Sequence, residues 1–168
     1  MVIPMKRLII DGYNLAHCLG HPLSSQTLER TRKSLEQKLG AYASAKKAEI
    51  TVVYDGRGVL GSCEKHGPLH IIFTPEGESA DERIKSLIDA ARSRNLTVVS
   101  SDHSIRNYAR VSGVASLSCQ DFLSSFLMDT GKSSSTSAQP TRHDVHKKSA
   151  PLSEQELQEW KNLFGMDS

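Results

Sequence analysis

The chain has little cysteine and no long apolar run, and both absences narrow the classes of protein it can belong to. Its 168 residues contain three cysteines, odd in number and far apart, at Cys18, Cys63 and Cys119. This pattern excludes a disulfide framework and a CxxC metal pair, and it predicts a reducing compartment, the cytoplasm. No apolar stretch is long enough to span a bilayer, and residues 1–7 lack the apolar core of a signal peptide. We therefore expect a soluble protein with no membrane partner.

Aromatic residues are also scarce, at 5% of the chain, and the formal net charge is only +2. The positive excess lies in residues 1–128. If the acidic residues of that region gather in one pocket, the remaining surface is more basic than the net charge suggests, which suits a polyanion. Only Tyr13 adjoins the acidic positions described below, so base stacking is not expected to be a main source of specificity.

Short apolar runs alternate with amphipathic segments along the chain. The first run, Leu8–Ile10, has the pattern of a strand buried on both faces of a parallel sheet. Further strands are predicted at residues 50–54, 70–74, 96–100 and 114–117. Helices are predicted at residues 26–47, from 79 onward, at 103–111 and after 118, with loops at 17–25 and 57–68. This order predicts an α/β fold, a three-layer α/β/α sandwich with a mainly parallel sheet.

The composition changes after residue 128. We predict one domain over residues 1–128, a flexible Ser/Thr-rich linker over residues 129–151 and a short amphipathic helix over residues 152–168. The apolar stripe of this terminal helix consists of Leu157, Trp160, Leu163 and Phe164. Such a stripe is expected to dock on the chain's own domain or on a partner.

Three predicted strands end in an aspartate, at Asp11, Asp55 and Asp102, and Asp81 lies in the first turn of a predicted helix. Parallel strands bring their carboxyl ends to one edge of a sheet, where ligands bind in open α/β folds. Gly12 is expected to let the chain turn directly after Asp11. Clustered carboxylates repel each other unless a cation is present, and an all-oxygen site suits Mg²⁺. Acidic clusters of this kind support phosphodiester hydrolysis.

Each acid also has a purely structural explanation. Asp55 and Gly56 form an ordinary turn dipeptide, and Asp81 is favourable near any helix N-terminus. Asp102 fits the N-cap of the helix that follows it, and Glu78 fits a solvated turn. It is the coincidence of these residues at one predicted edge that favours a functional site.

Cationic residues next to the acids are the candidate phosphate contacts. Arg57 follows Asp55, Arg83 and Lys85 flank Asp81, and Arg106 lies one turn into the helix after Asp102, so that the candidate RNA-binding residues are Arg57, Arg83, Lys85, Arg106 and Tyr13. For each cation taken singly, a solvated helix face is the alternative explanation.

The blocks around these acids resemble the NYN domains of the PIN-like ribonucleases, and among them the bacterial YacP-like branch. The matching blocks are Asp11-Gly12-Tyr13-Asn14, Val53–Gly56, Phe73–Asp81 and Val99–Asp102, in the family's order. The resemblance covers about residues 6–127, and the Leu152–Trp160 segment is similar to tails in that branch. The Ser-rich linker and the residues before Met5 fall outside the shared pattern.

The resemblance implies a metal-dependent endoribonuclease that uses Mg²⁺ or Mn²⁺. Its implied metal ligands are Asp11, Asp81 and Asp102, with Asp55 and Glu78 in lesser roles. Asn14 would orient Asp11 or a metal-bound water, and Ser101 would be a supporting hydrogen-bonding residue. The resemblance further implies RNA as substrate, ribosome-associated mRNA as its setting and the ribosome as a partner.

Other functions compete with this one. A phosphatase with Asp11 as nucleophile would want a second acid where Tyr13 stands. A receiver domain would want paired acids after its first strand. A non-catalytic RNA- or ribosome-binding module with a vestigial acidic site is the alternative from another class. His17 and His21 have the spacing of a zinc-binding pair on a helix, but Gly20 and Pro22 would interrupt such a helix. Cys18 is expected to be a small core residue rather than a nucleophile.

Overall fold

The structure is a computed structural model, and it describes residues 5–20, 25–56, 61–91 and 95–130. The chain divides into two compact units, Met1–Cys119 and Gln120–Ser168. The predicted C-terminal helix, and the predicted linker from residue 131 onward, lie outside the described residues. The boundary predicted at residue 128 stays a prediction. Among the described helices, none combines the length and apolarity that crossing a membrane requires.

The strands are β1 (Lys6–Asp11), β2 (Ala48–Tyr54), β3 (Ser62–His66), β4 (Leu69–Phe73), β5 (Leu96–Val99) and β6 (Ala115–Leu117). The helices are α1 (Gly12–Cys18), α2 (Ser25–Lys46), α3 (Ala80–Ala91), α4 (His103–Val111) and α5 (Cys119–Thr130). The six strands form one sheet in the order β3-β4-β2-β1-β5-β6. Every neighbouring pair is parallel except β3 and β4.

β1 lies between β2 and β5, which explains its continuous apolar sequence. Leu8, Ile9 and Ile10 are all buried, because helices cover both faces of the sheet. Ile9 belongs to a core that also contains Val53 of β2, Ile84 of α3 and Ile105 of α4. The α/β/α sandwich with a mainly parallel sheet is confirmed.

On the opposite face, β2 presents Tyr54, which is fully buried. α1 and α2 pack on this face, with Leu15, Leu35 and Leu39 among their buried residues. The crossovers from β1 to β2 and from β2 to β4 bring the carboxyl ends of these parallel strands to one edge. This edge, hereafter the carboxyl edge, holds the residues that follow Asp11, Tyr54, Phe73 and Val99.

Two elements were not expected from the sequence. Residues 12–18 form α1, where a turn and then a loop were predicted, because seven residues are too few to establish a helical period before Gly20 and Pro22. Residues 62–66 form β3 inside the predicted loop at 57–68. All five residues of β3 are exposed, so this edge strand carries no apolar alternation, and it is held by antiparallel pairing with β4.

The remaining helices and strands agree with the predicted ones to within two residues at each described end. The capping box at the start of α3 is confirmed. The Glu82 N–H donates to Ser79 Oγ at 3.2 Å, and the Ser79 N–H donates to Glu82 Oε2 at 2.9 Å. In the second unit, the rings of Phe122 and Phe126 on α5 lie 6.0 Å apart.

Candidate active site at the carboxyl edge

Asp11 is the last residue of β1 and the N-cap of α1. Its Oδ1 accepts the Asn14 backbone N–H at 3.2 Å. Burial raises the pKa of Asp11 to about 6, and the Asn14 N–H opposes this rise. The negative charges of Asp102, Asp81 and Asp55 raise the pKa further. The charges of the other three carboxylates therefore reach Asp11, as expected if the strand ends meet at one edge.

Gly12 is needed for packing, and its expected role in a turn is wrong. Gly12 begins α1, and a Cβ there would lie 2.2 Å from Cε1 of Tyr54. The Tyr54 ring in turn lies 4.9 Å from the ring of Tyr13. The absence of a side chain at Gly12 lets α1 begin directly over this buried ring, immediately after Asp11.

Asp81 occupies the first turn of α3, and its two carboxylate oxygens have different surroundings. Oδ2 accepts a hydrogen bond from Lys85 Nζ at 2.7 Å, and the same ammonium donates to Ser104 Oγ at 3.0 Å. Oδ1 is buried and has no hydrogen-bond partner. A buried carboxylate oxygen without a donor is unfavourable, and a bound cation would satisfy it.

Asp102 has the structural role that was considered for it. It is the N-cap of α4, and its Oδ1 accepts the backbone N–H groups of Ser104 at 2.7 Å and Ile105 at 3.4 Å. Its own N–H donates to Ser100 Oγ at 3.1 Å. A residue that caps a helix can also bind a metal ion. Asp11, another helix cap, lies close enough to Asp102 for the charge of Asp102 to raise its pKa.

Asp55 is exposed at the end of β2, where its side chain meets the chain after β4. Thr74 Oγ1 donates to Asp55 Oδ1 at 3.4 Å and accepts the Gly56 N–H at 3.0 Å. A Cβ at Gly56 would lie 1.9 Å from the Thr74 carbonyl oxygen. Gly56 therefore permits a close approach of two backbones, in addition to the turn that Asp-Gly suggested.

Asn14 and Ser101 form a cluster beneath the acids together with two cysteines. Asn14 Oδ1 accepts the Ser101 N–H at 2.9 Å and the Cys119 thiol at 3.1 Å. Ser101 Oγ accepts the Cys119 N–H at 3.2 Å and lies 3.5 Å from Cys18 Sγ. The Asn14 side chain thus joins α1 to the segment after β5, and the hydrogen bond to Asp11 comes from the Asn14 backbone.

The cationic residues predicted to contact phosphate differ in their partners and burial. Arg83 is paired with Glu78 at 2.6 Å, and Lys85 is paired with Asp81. Arg106 is half-buried, and its Nε lacks a hydrogen-bond partner. Arg57 lies outside the described residues.

Sequence reasoning missed three residues near this edge. Arg32 of α2 places its guanidinium 4.8 Å from the ring centre of Phe73 and 5.8 Å from that of Tyr54. Thr74 and Cys119 bind Asp55 and Asn14 as described above. Thr74 could have been found from its position directly after the apolar run of a predicted strand. The sequence around Arg32 and Cys119 contains no feature that marks either residue as part of a site.

Within residues 5–20, 25–56, 61–91 and 95–130, no three His, Cys, Asp or Glu side chains are grouped closely enough to form a ready metal cage. Mg²⁺ does not require such a cage, because it binds through one or two carboxylates and keeps several waters. The donor set here consists of carboxylates, and it includes the unpartnered Asp81 Oδ1. These residues fit a hard divalent cation.

Comparison with known proteins places the chain in a family. The family model described as the YacP-like NYN domain matches residues 8–165. The protein YacP of Bacillus subtilis (strain 168) is 33% identical over 105 residues, which cover 59% of this chain and 62% of that relative's length.

Two solved structures also match. The crystal structure of Rae1 (YacP) from Bacillus subtilis has 28% identity and a TM-score of 0.63, covering 76% of this chain and 77% of that one. A single-site mutant of the same protein has 27% identity and a TM-score of 0.64, covering 76% and 79%. The chain belongs to the YacP-like NYN domain family and has its PIN-like nuclease fold.

Proposed function

We propose that this protein is a metal-dependent endoribonuclease that hydrolyses phosphodiester bonds in RNA. The observation that carries the proposal is the convergence of Asp11, Asp55, Asp81 and Asp102 at the carboxyl edge of a PIN-like sheet. Burial and, to a lesser extent, the charges of the other three carboxylates raise the pKa of Asp11 and so disfavour its ionised state. A divalent cation would reverse that effect, and the nuclease family of the chain supports this chemistry.

Asp11, Asp81 and Asp102 would hold Mg²⁺ or Mn²⁺, with Asp55 in support. The unpartnered Oδ1 of Asp81 and the all-oxygen donor set favour such a cation. When bound, a divalent ion supplies Lewis-acid polarisation of the phosphoryl oxygen and a lowered pKa for its water. Lys85 neutralises part of the Asp81 charge and keeps an ammonium beside the path of an RNA phosphate.

Asn14 and Ser101 position the acids. The Asn14 N–H holds Asp11 Oδ1, and the Asn14 side chain fixes the backbone of Ser101, whose neighbour is Asp102. Through these bonds Asn14 would set the separation of two proposed ligands, one at the end of β1 and one at the start of α4. We classify Asn14 as a positioning residue.

RNA would approach across the cations of the carboxyl edge. Arg106, Lys85, Arg83 and Arg57 are the proposed phosphate contacts, and Tyr13 is a further proposed RNA contact. Glu78 would act through Arg83, because their 2.6 Å ion pair fixes the guanidinium at the start of α3. The proposal extends to a cytoplasmic setting and to RNA on the ribosome, since the family model places the chain in the YacP-like branch.

The test is cleavage of RNA by the full chain with Mn²⁺, Mg²⁺ or EDTA, on free RNA and on ribosome-bound message. We expect metal-dependent internal cleavage, and we expect Asp81→Asn to reduce the rate by at least ~100-fold, as for removal of an electrostatic catalytic group. Asp89→Asn is the matched control. It lies on the same helix, is exposed, and accepts a hydrogen bond from Tyr108.

Two results would contradict the proposal. One is cleavage that persists in EDTA or in Asp81→Asn. The other is tight binding of RNA or ribosomes with no cleavage under any metal condition, which would favour the non-catalytic binding module.

A further inference from the structure

Cys18 and Cys119 are far apart in sequence, yet they meet in the cluster around Asn14 and Ser101. Cys18 ends α1 and lies 3.5 Å from Ser101 Oγ. Cys119 begins α5, and its N–H donates to the same Ser101 Oγ. The Cys119 thiol donates to Asn14 Oδ1 at 3.1 Å, and Asn14 lies one helical turn before Cys18 on α1, so the two thiols face the same Asn14–Ser101 pair. Neither is in a disulfide in this structure.

The two thiols differ in access and in acidity. Cys18 is half-buried, whereas the Cys119 side chain has no exposed surface. The neighbouring Cys119 thiol lowers the pKa of Cys18 to about 6, against the opposing effect of burial. The same contact and burial raise the pKa of Cys119. Cys18 is thus the thiol that solvent reaches and that ionises first, and a thiolate with these properties is the reactive form of cysteine.

We propose that Cys18 and Cys119 are an oxidation site, at which a peroxide converts the two thiols into a disulfide beside the carboxyl edge. The Cys18 thiolate attacks one oxygen of hydrogen peroxide, the O–O bond breaks, and after uptake of one proton the products are a sulfenic acid and water. The sulfur of Cys119 then attacks Cys18 Sγ and displaces hydroxide, which takes the Cys119 proton and leaves as water. Two thiols lose two electrons and two protons, and one peroxide becomes two waters.

The disulfide would change the cluster beneath the acids. The Cys119 thiol now donates to Asn14 Oδ1 at 3.1 Å, and the oxidised sulfur has no proton to donate. Asn14 would keep the Ser101 N–H but lose its second donor, and the contact of Cys18 with Ser101 would be rearranged. Since Asn14 also holds Asp11 through its backbone, oxidation is expected to lower activity reversibly. This consequence rests on the proposed function, whereas disulfide formation does not.

The experiment uses the full chain in a Cys63→Ser background, because Cys63 is exposed and would otherwise form links between molecules. The reduced protein is titrated with hydrogen peroxide, the remaining thiols are alkylated, and the digested peptides are measured by mass spectrometry. We expect a Cys18–Cys119 linked peptide, and we expect dithiothreitol to reverse it. In Cys119→Ser, Cys18 should instead accumulate as sulfenic acid, trapped by dimedone.

Oxidation of Cys18 to sulfinic acid without a cross-link, in protein that retains Cys119, would overturn the proposal. So would two thiols that alkylate at unchanged rates after peroxide. RNA cleavage is measured on the same samples, and a several-fold loss restored by dithiothreitol is expected. Equal rates of RNA cleavage by the cross-linked and reduced forms would contradict the claim that the disulfide lowers activity through Asn14. If the reduced protein cleaves no RNA, the proposed function fails, but the mass spectrum still decides the oxidation site.

Discussion

Lys85 Nζ lies 2.7 Å from Asp81 Oδ2, so a residue expected to contact RNA is bound to a residue expected to hold a metal. The bond to Asp81 raises the pKa of Lys85 and keeps it charged. An ammonium therefore stands at the place where a divalent cation is proposed to bind, and the two cations compete for the charge of one carboxylate. Asp81 Oδ1, buried and unpartnered, remains open to the second cation.

Lys85→Met should increase the affinity for Mn²⁺ several-fold, because it removes a positive charge from the first turns of α3 and leaves Asp81 without a counter-ion. Affinity for RNA should fall in the same variant. Isothermal titration with Mn²⁺ measures the first effect. The control is Lys33→Met, because Lys33 pairs with Glu29 at 3.0 Å in the same i, i+4 arrangement on α2. Weaker Mn²⁺ binding in Lys85→Met would show that the ammonium supports the metal site rather than competing with it.

Asp11 predicts how the stability of the metal-free protein depends on pH. Its pKa rises from 3.8 to about 6 on folding, so the folded state binds this proton more tightly than the unfolded state does. The contribution of Asp11 to stability is therefore fully present below pH 3.8 and is lost as the pH rises towards 6. Over that pH range the free energy of unfolding falls by about 2–3 kcal/mol because of Asp11.

Asp11→Asn should remove this part of the pH dependence and should be more stable than the unsubstituted protein at neutral pH in EDTA. Urea unfolding at several pH values measures it, with Asp89→Asn as the control for loss of an exposed acid. Mn²⁺ should stabilise the unsubstituted protein at neutral pH and have little effect on Asp11→Asn. A difference between the two proteins that does not vary with pH would contradict the burial of this carboxyl.

Two glycines give opposite predictions for the same substitution. Gly12→Ala would place Cβ 2.2 Å from the buried ring of Tyr54, and such overpacking costs about 1–3 kcal/mol. Gly40→Ala on α2 would place Cβ 3.8 Å from Leu69 Cδ2, an ordinary contact, and should stabilise the helix by roughly 0.5–1 kcal/mol. Thermal unfolding of both variants measures the contrast. A Gly12→Ala protein as stable as the unsubstituted one would mean that Tyr54 can move.

The parts of the fold that sequence predicts are those with a strong period. β1 contains a continuous apolar run, β2 and β5 are rich in buried β-branched residues, and the buried face of α3 recurs at helical spacing. β3 has five exposed residues and is defined only by its hydrogen bonds to β4, so no pattern marks it. α1 is too short to show a period.

The candidate site divides in the same way. Strand ends locate Asp11, Asp55 and Asp102, because a parallel sheet sends them to one edge. The bonds of Asn14 to Ser101 and Cys119 join residues that no local signal connects. Tertiary packing also decides which cations are paired, and the Glu78–Arg83 ion pair, five residues apart in sequence, was not expected.

Arg32 of α2 lies under the carboxyl edge and forms a partly buried ion pair with Glu36. Its Nε is 3.4 Å from Glu36 Oε1, and the two side chains are only 24% and 17% exposed. Burial already raises the pKa of Glu36, and the charge of Arg32 opposes that rise. Arg32→Met should leave a poorly solvated carboxylate and also remove the stacking of the guanidinium on Phe73.

We expect Arg32→Met to lower the free energy of unfolding by about 1–2 kcal/mol at neutral pH, less than the cost of breaking a fully buried pair. The loss should shrink as the pH falls into the acid range, because burial raises the pKa of Glu36 and protonation removes its charge. Glu36→Gln should recover part of the loss in the double variant. The surface pair Glu29 and Lys33 is the control, and the corresponding cycle there should give a coupling below ~0.5 kcal/mol. A double variant no more stable than Arg32→Met alone would assign the whole loss to the contacts of Arg32 with Tyr54 and Phe73, because the charge of Glu36 would then contribute nothing.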